Sequence, residues 1–262
     1  MLVIAFVVEI LIMLGAPVAL WVFLWRRYRA SWGLIAVGAL TFILSQVVHL
    51  PLNWGLGLLG GGRGVALWPL PAMAAVAGLS AGLCEEGARY LVLRFWRRDA
   101  RTWIQGVTFG AGHGGIESIL LGLGVLMGFI NMLILRSVGP EAFGLSGELL
   151  EQTRQQVEAY WGMAWYLPLL GGLERIFAMT MQIALALLVL QAVVRRNLLW
   201  LGAAILAHAL VNAVAVGLMQ SGVSILWVEG MIFLMALGAL GVILALRLRP
   251  TEAAEQEALA EG

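Results

Sequence analysis

The sequence predicts an all-α membrane protein, a bundle of about seven transmembrane helices with a buried polar site in its cytoplasmic half. Two observations predict this class. Of the 262 residues, 61% are hydrophobic and only 12% are charged. The apolar runs are continuous rather than alternating, and several exceed the roughly 20 residues that a spanning helix needs. Because lipid offers no hydrogen bonds to the backbone, such runs are expected to be helices.

Seven apolar segments are separated by polar or arginine-rich connectors. The predicted spans are residues 1–25, 32–50, 68–93, 103–135, 167–194, 199–219 and 225–246. Together they form a single transmembrane domain, residues 1–250, followed by a short acidic tail, residues 251–262. The fourth span is rich in glycine, which lets the backbones of neighbouring helices approach closely.

The only sizeable polar segment is the predicted extracytoplasmic loop, residues 136–166. Ser146 is placed to cap a short helix within it. One face of that helix carries the less polar side chains Leu149, Leu150, Thr153 and Val157. The helix is either amphipathic and interfacial or a simple connector, and the sequence leaves both open.

Arginines near the ends of the spans predict the orientation of the chain. The connectors after the first, third, fifth and seventh spans hold most of them, whereas the opposite connectors hold only Arg63, Arg136 and Arg154. Basic residues accumulate on the cytoplasmic side of a membrane. We therefore expect a multi-pass protein of the cell membrane with its N-terminus outside and its C-terminus in the cytoplasm.

The third span carries three charged residues close together. Its segment 78–96 reads GLSAGLCEEGARYLVLRFW and contains Glu85, Glu86 and Arg89. Ionisable side chains at bilayer depth are costly and usually face a bundle interior or a wet cavity, so they indicate a functional site. Arg89 can pair with Glu85 at i+4 or with Glu86 at i+3. Since this bridge holds one carboxylate, the other is free to act as a base.

Two histidines are predicted at a similar depth. At a rise of 1.5 Å per residue, the two glutamates lie roughly 10–12 Å from the cytoplasmic end of their span. On the same scale His113 lies roughly 15 Å into the fourth span and His208 about 14 Å into the sixth. Three helices therefore bring carboxylates and imidazoles to one layer. The partners of His49, Glu229 and Glu9 cannot be named from the sequence, and these residues are interpreted as interfacial or structural.

Helical spacing places further residues beside the histidines. Phe109, His113 and Glu117 recur every four residues and share one face of the fourth span. His208 and Asn212 share a face of the sixth span in the same way. An imidazole and an amide on one face can orient a water molecule or stabilise an oxyanion.

The fifth span adds one charged pair. Glu174 and Arg175 enter near its outer end. Arg175 is predicted to pair with Glu117, which lies nearer the midplane of the fourth span. This pair is either structural or tunes the charge of the site, and spacing alone leaves both open.

The chemistry that this set of residues allows is hydrolysis. A carboxylate can take a proton from water, and histidine with asparagine can support the developing oxyanion. The candidate catalytic residues are Glu85, Glu86, His113, His208 and Asn212. The candidate supporting residues are Arg89, Phe109, Glu117, Glu174 and Arg175. Histidine and carboxylate are also ordinary zinc ligands, and spacing alone does not separate direct catalysis by glutamate without a cofactor from zinc-assisted hydrolysis. The candidate zinc ligands are Glu85, His113, Glu117 and His208.

At these residues the sequence resembles the superfamily of CAAX prenyl endopeptidases and bacteriocin-processing enzymes, which are intramembrane proteases. It most resembles the YhfC branch, which is related to the PrsW branch. The motifs that carry the resemblance are Glu85-Glu86-Gly87-Ala88-Arg89, Phe109-xxx-His113 continuing into Gly-Gly-Ile-Glu117, Leu173-Glu174-Arg175-Ile176-Phe177, and His208-xxx-Asn212. They lie on four spans in the order found in the superfamily.

The resemblance implies an intramembrane endopeptidase that cleaves a membrane protein or a lipid-anchored peptide. It implies that Glu85 activates water with the help of His113, and that His208 and Asn212 support the water or the oxyanion. Glu86 and Arg89 would then be a structural pair. Prenyl endopeptidases usually place the arginine four residues after the second glutamate, whereas Arg89 follows Glu86 by three. This spacing favours the YhfC and PrsW branches over the prenyl endopeptidases, and it therefore argues against a prenylated-cysteine substrate.

Two other classes of function remain open at this stage. A proton-coupled transporter also buries acids and histidines, but the halves of this chain show no inverted repeat. A non-catalytic scaffold is the other, because the scaffold subunit of gamma-secretase resembles this superfamily in fold. The retained Glu-Glu, His and His-xxx-Asn residues favour the protease. No nucleic-acid partner is expected.

Overall fold

The structure is a computed structural model that describes residues 1–247, and every regular element in this part of the chain is a helix. The α-helices are α1 (Leu2–Tyr28), α2 (Trp32–Leu56), α3 (Leu70–Leu91), α4 (Trp103–Val138), α5 (Gly147–Gly162), α6 (Leu167–Val194), α7 (Leu199–Gln220) and α8 (Ile225–Arg247). Short 3-10 helices occupy Gly64–Leu67 and Pro140–Phe143, and a π-helical turn, Val92–Trp96, follows α3. The all-α prediction is confirmed. The predicted acidic tail, residues 251–262, lies outside the described residues.

Six of these helices are long and apolar enough to cross a membrane, namely α1, α2, α4, α6, α7 and α8. Helix α3 is not among them, because its 22 residues include Glu85, Glu86 and Arg89. At 1.5 Å per residue it is still about 33 Å long, enough to cross a hydrocarbon core of about 30 Å. Its charged side chains are buried inside the protein rather than turned to lipid. The predicted count of about seven spans agrees roughly with this arrangement.

Helix boundaries differ from the predicted spans chiefly at α2. Helix α2 passes Pro51 and continues to Leu56, where Gly57 ends it in the left-handed conformation at φ +80°. Proline removes one backbone hydrogen bond but does not end this helix. Ser146 precedes α5 as predicted, but its side chain makes no capping hydrogen bond, and α5 buries no residue. An interfacial location for α5 stays a prediction.

The chain groups into two compact units. Unit 1 contains residues 1–16 and 118–176, and unit 2 contains residues 17–117 together with the part that follows residue 176. In unit 1, the ring of Phe6 stacks between Phe129 and Tyr160, at centroid distances of 5.1 and 4.9 Å. The carboxylates and imidazoles singled out on α3, α4 and α7 all belong to unit 2.

Glycines let the helices of unit 2 pack backbone to backbone. A Cβ atom at Gly38 of α2 would lie 2.1 Å from the carbonyl oxygen of Phe109, and one at Gly112 of α4 would lie 2.1 Å from that of Ile35. On α3, a Cβ atom at Gly78 would lie 2.2 Å from the carbonyl oxygen of Ala209 on α7. Such distances leave no room for a side chain, so these glycines fix the position of α3 and α4 against their neighbours.

The glycine-rich α4 also packs closely on α6, as the sequence predicts. Cβ atoms at Gly106, Gly110 and Gly114 would lie 2.7–2.9 Å from side-chain or backbone atoms of α6. Beside them, the indole of Trp21 donates a hydrogen bond to the carbonyl oxygen of Ala111 at 2.8 Å. These contacts hold the segment of α4 that carries His113.

Candidate active site

The centre of the site is a buried cluster in the C-terminal part of α3. The side chains of Glu86 and Arg89 are completely buried, and Glu85 is 6% exposed. They lie within two turns of one helix, with α2, α4, α6 and α7 supplying polar side chains around them. A charged cluster in an apolar bundle requires such partners, because lipid offers none.

Glu86 is held by a direct ion pair. Arg89 Nη1 donates to both oxygens of Glu86, at 2.8 and 2.9 Å. His208 Nδ1 lies 2.7 Å from Oε1 of the same carboxylate. An ionised carboxylate only accepts hydrogen bonds, so His208 donates through Nδ1–H. Glu86 therefore has its charge neutralised within the cluster.

Glu85 is held differently, by a neutral imidazole. His113 Nε2 lies 3.0 Å from Oε2 of Glu85, and Arg89 Nε lies 3.4 Å from His113 Nδ1. A guanidinium only donates, so Nδ1 of His113 is the acceptor and Nε2 carries the hydrogen that it donates to Glu85. The partners thus select one neutral tautomer of His113.

Two glutamines complete the contacts of Glu85. Gln46 Nε2 donates to Oε1 at 3.2 Å, and Gln182 Nε2 lies 3.5 Å from Oε2. The nearest guanidinium nitrogen of Arg89 is 3.7 Å from Oε2. Of the two carboxylates, Glu85 is therefore the one without a close ion pair.

Gln182 of α6 links the remaining charged groups. Its carbonyl oxygen accepts a hydrogen bond from Arg89 Nη2, and its Nε2 donates to Oε2 of Glu117 at 2.7 Å. Glu117 is therefore linked to the cluster through the amide of Gln182. Gln182 was not among the predicted site residues, because a glutamine in a span is less conspicuous than a charged residue.

A row of polar side chains on α2, Gln46, His49 and Asn53, also belongs to the site and was not predicted from the sequence. Gln46 contacts Glu85, and His49 contacts Gln46 through Nδ1 at 3.2 Å. Asn53 and Ser80 lie around the other ring nitrogen of His49. His49 was interpreted as interfacial or structural, and it instead belongs to this network. The spacing i, i+3, i+7 of Gln46, His49 and Asn53 was the available signal.

The other predicted site residues have different surroundings. Phe109 is fully buried in an apolar cluster, and the ring that meets His113 is that of Phe42, edge-on at 5.2 Å. Asn212 is half-buried one turn after His208. In unit 1, Arg175 Nη2 forms an ion pair with Glu174.

The predicted pair of Arg175 with Glu117 joins residues of the two units and stays a prediction. Glu9, interpreted as structural, is buried in unit 1. Its Oε2 has no hydrogen-bond partner within residues 1–247.

Comparison with known proteins places this site in a family. The model of the family described as "YhfC intramembrane metalloprotease" matches residues 10–233. The chain belongs to the YhfC family. It is 36% identical over 213 residues to a Bacillus subtilis (strain 168) protein described as "Uncharacterized membrane protein YhfC", an alignment that covers 79% of this chain and 81% of that protein. No solved structure matches the chain.

The YhfC match covers every candidate site residue on α3, α4, α6 and α7. It confirms the resemblance to YhfC proteins that the motifs indicate, and it confirms a membrane protein. The relationship to prenyl endopeptidases and to the PrsW branch stays a prediction.

The description of the YhfC family implies a metal ion, and the side chains test whether one fits. Within residues 1–247, no group of three or more His, Cys, Asp or Glu side chains is placed to hold a metal. A catalytic zinc site needs three protein ligands. His113 uses one ring nitrogen to accept from Arg89 and the other to donate to Glu85, so neither offers a lone pair. In this arrangement the donor set does not fit a three-ligand zinc site.

Proposed function

We propose that this YhfC-family protein is an intramembrane endopeptidase in which Glu85 activates the attacking water. The observation that carries the proposal is the contrast between the two adjacent carboxylates. Glu86 is neutralised by Arg89 at 2.8 Å, whereas Glu85 is held only by neutral donors and by a guanidinium 3.7 Å away. A carboxylate oriented but not neutralised is suited to accept a proton.

In the proposed reaction, Glu85 takes a proton from water as the water oxygen attacks the carbonyl carbon of the scissile peptide bond. Glu85 then passes that proton to the departing amine as the C–N bond breaks. His113 keeps the carboxylate in place through Nε2–H. The large benefit of a positioned base, typically 10²–10⁴-fold, depends on this orientation.

Charge balance supports a role for His208. Glu85 and Glu86 carry two negative charges and Arg89 one positive charge, and all three are buried. His113 cannot take a second proton while its Nδ1 accepts from Arg89. A proton on His208 would balance the four-group cluster, because its Nδ1–H bonds Glu86 and its Nε2–H is then available. That Nε2–H and the amide of Asn212 are our candidates for oxyanion support.

The proposed substrate is a membrane protein or a lipid-anchored peptide. A groove of about 480 Å³ between α2 and α3 is lined by apolar side chains together with Thr41, Ser45 and Cys84. Ser45 in this groove accepts a hydrogen bond from Gln46, which also bonds Glu85, so this groove is a suitable lateral route for an apolar segment. With the orientation that the arginines predict, the N-terminus outside and the C-terminus in the cytoplasm, the site opens toward the cytoplasmic half of the bilayer.

A metal-assisted form of the same hydrolysis is the second candidate, and the description of the YhfC family as a metalloprotease family favours it. The two forms make different predictions. Purified protein in detergent is offered a panel of fluorogenic and membrane-anchored peptides, beside Glu85→Ala and His208→Ala, each with and without a strong chelator.

We expect cleavage by the wild type that is lost in both variants and kept in chelator. Loss in chelator that zinc restores would favour the metal-assisted form. Cleavage that survives both substitutions would overturn the proposed roles of Glu85 and His208.

A further inference from the structure

Helix α2 presents a row of polar side chains to α3 that the proposed reaction does not use. The row consists of Gln46, His49 and Asn53, spaced so that all three share one face of an otherwise apolar helix. Only Gln46 touches the catalytic cluster directly, at Oε1 of Glu85. Polar side chains in a membrane span cost free energy unless they form hydrogen bonds, so the partners of each residue in the row matter.

The carboxylate at one end fixes the direction of the hydrogen bonds. Because Glu85 only accepts, Gln46 must turn its NH₂ group toward it, which turns the carbonyl oxygen of Gln46 toward His49. This oxygen lies 3.2 Å from His49 Nδ1 and can only accept. His49 therefore carries its hydrogen on Nδ1.

The other end of the row is consistent with the same tautomer. With Nδ1 protonated, His49 Nε2 accepts, and the Nδ2 atom of Asn53 lies 2.9 Å from it and can donate. The single hydroxyl hydrogen of Ser80 is shared between two acceptors, Oδ1 of Asn53 at 2.8 Å and the backbone oxygen of Ala77 at 2.9 Å. The direction set at Gln46 therefore decides the tautomer, and the contacts of Asn53 agree with it.

We propose that His49 is a positioning residue for Glu85, acting through Gln46. The Nδ1–H of His49 holds the amide of Gln46, and the amide holds Oε1 of Glu85, the oxygen that His113 leaves free. The inference rests on the proposed function for the role of Glu85, but the coupling between Glu85 and His49 can be measured without any reaction. It predicts that a substitution at Glu85 changes the protonation of the His49 ring nitrogens, two hydrogen bonds away.

The chain offers a direct test, because it contains only three histidines. In full-length protein labelled with ¹⁵N-histidine in nanodiscs, NMR reports the tautomer of each imidazole, and His49→Gln identifies the resonances of His49. We expect His49 to be the Nδ1–H tautomer. Glu85→Gln should shift the two ring-nitrogen resonances of His49 toward each other, because an amide at position 85 no longer dictates which way Gln46 turns.

Two further variants make the test specific. Gln46→Leu should reduce the response of His49 to Glu85→Gln to the direct electrostatic effect of the Glu85 charge, because it breaks the hydrogen-bonded route through Gln46. Glu9→Gln, which changes a buried carboxylate of unit 1, should leave His49 unshifted. An Nε2–H tautomer in the wild type would overturn the proposal, as would a His49 spectrum that ignores Glu85→Gln. The spectra need no substrate, so they can refute the coupling between Glu85 and His49 even if the protein cleaves peptides. If the protein shows no peptidase activity, the spectra still test this coupling.

Discussion

Glu85 and Glu86 are neighbours in the sequence, yet their carboxylates have different partners. Glu86 and Arg89 are both fully buried and share two hydrogen bonds below 3 Å. Breaking a buried ion pair by removing one partner leaves an uncompensated charge, which is strongly destabilising. Glu85, whose contacts are mostly to neutral groups, lacks this structural role.

Substitution of the two carboxylates by glutamine should therefore separate stability from activity. We expect Glu86→Gln to lower the free energy of unfolding by about 3–5 kcal/mol, because Arg89 loses its counter-charge. Glu85→Gln should change it far less, since the donors around Glu85 can also bond an amide oxygen. Thermal unfolding of both variants in the same detergent checks this. A larger loss of stability for Glu85→Gln than for Glu86→Gln would show that the assigned tasks are reversed.

At the scale of helices, the site depends on close approach of backbones. Gly78 of α3 meets the carbonyl oxygen of Ala209, and Gly82 meets that of Ile205, so α3 and α7 pack with no side chain between them at these points. This packing brings His208 of α7 to Glu86 of α3. A change in the spacing of the two helices would separate these side chains.

Helix α3 contains a matched pair of glycines with which to test this. A Cβ atom at Gly78 would lie 2.2 Å from a backbone oxygen, whereas one at Gly87 would meet nothing within 4 Å. Gly78→Ala should lower the melting temperature, because backbone cannot move aside as a flexible side chain can. Gly87→Ala should be neutral or stabilising by up to about 1 kcal/mol, since alanine is the better helix former. Equal melting temperatures for the two variants would contradict the packing of α3 on α7.

The sequence was sufficient to predict the charged residues and histidines of the cluster, but not the neutral glutamines that bond them. Counting residues along the spans predicted that Glu85, Glu86, His113 and His208 share a layer, because depth follows from the constant rise of a helix. The rotation of each helix about its axis does not follow from that rise. It is set by distant contacts such as that of Gly38 with Phe109. The spacing of Gln46, His49 and Asn53 therefore indicated a polar face on α2 but not that this face meets Glu85.

The aromatic residue beside His113 shows the same limit. Phe109 shares a helix face with His113, and its place in the motif suggested that it supports the site. The ring that contacts the imidazole comes from Phe42 of α2, while Phe109 fills an apolar cluster with Leu34 and Leu93. A partner on another helix is invisible to spacing within one helix.

At the scale of the whole molecule, the chain is an all-α membrane protein of the YhfC family that places most of its buried charge in one cluster. Within the described residues, Glu85, Glu86, Arg89, His113 and His208 are buried together, and two glutamines from other helices complete their hydrogen bonds. A bundle that served only as a scaffold would gain little from this cluster, because apolar side chains of the same size pack at no cost in desolvation. The cluster therefore agrees better with the proposed base than with a scaffold.

The central claim is that Glu85 takes the proton from water, and the most direct measurement is the initial cleavage rate of Glu85→Gln in nanodiscs with a membrane-anchored peptide that the wild type cleaves. Glutamine keeps the size of the side chain but cannot accept that proton. We expect a loss of at least about 100-fold for Glu85→Gln, while Glu9→Gln, the matched change at a buried carboxylate outside the proposed site, should stay within about twofold of the wild type. Cleavage by Glu85→Gln at a rate near that of Glu9→Gln would contradict the account.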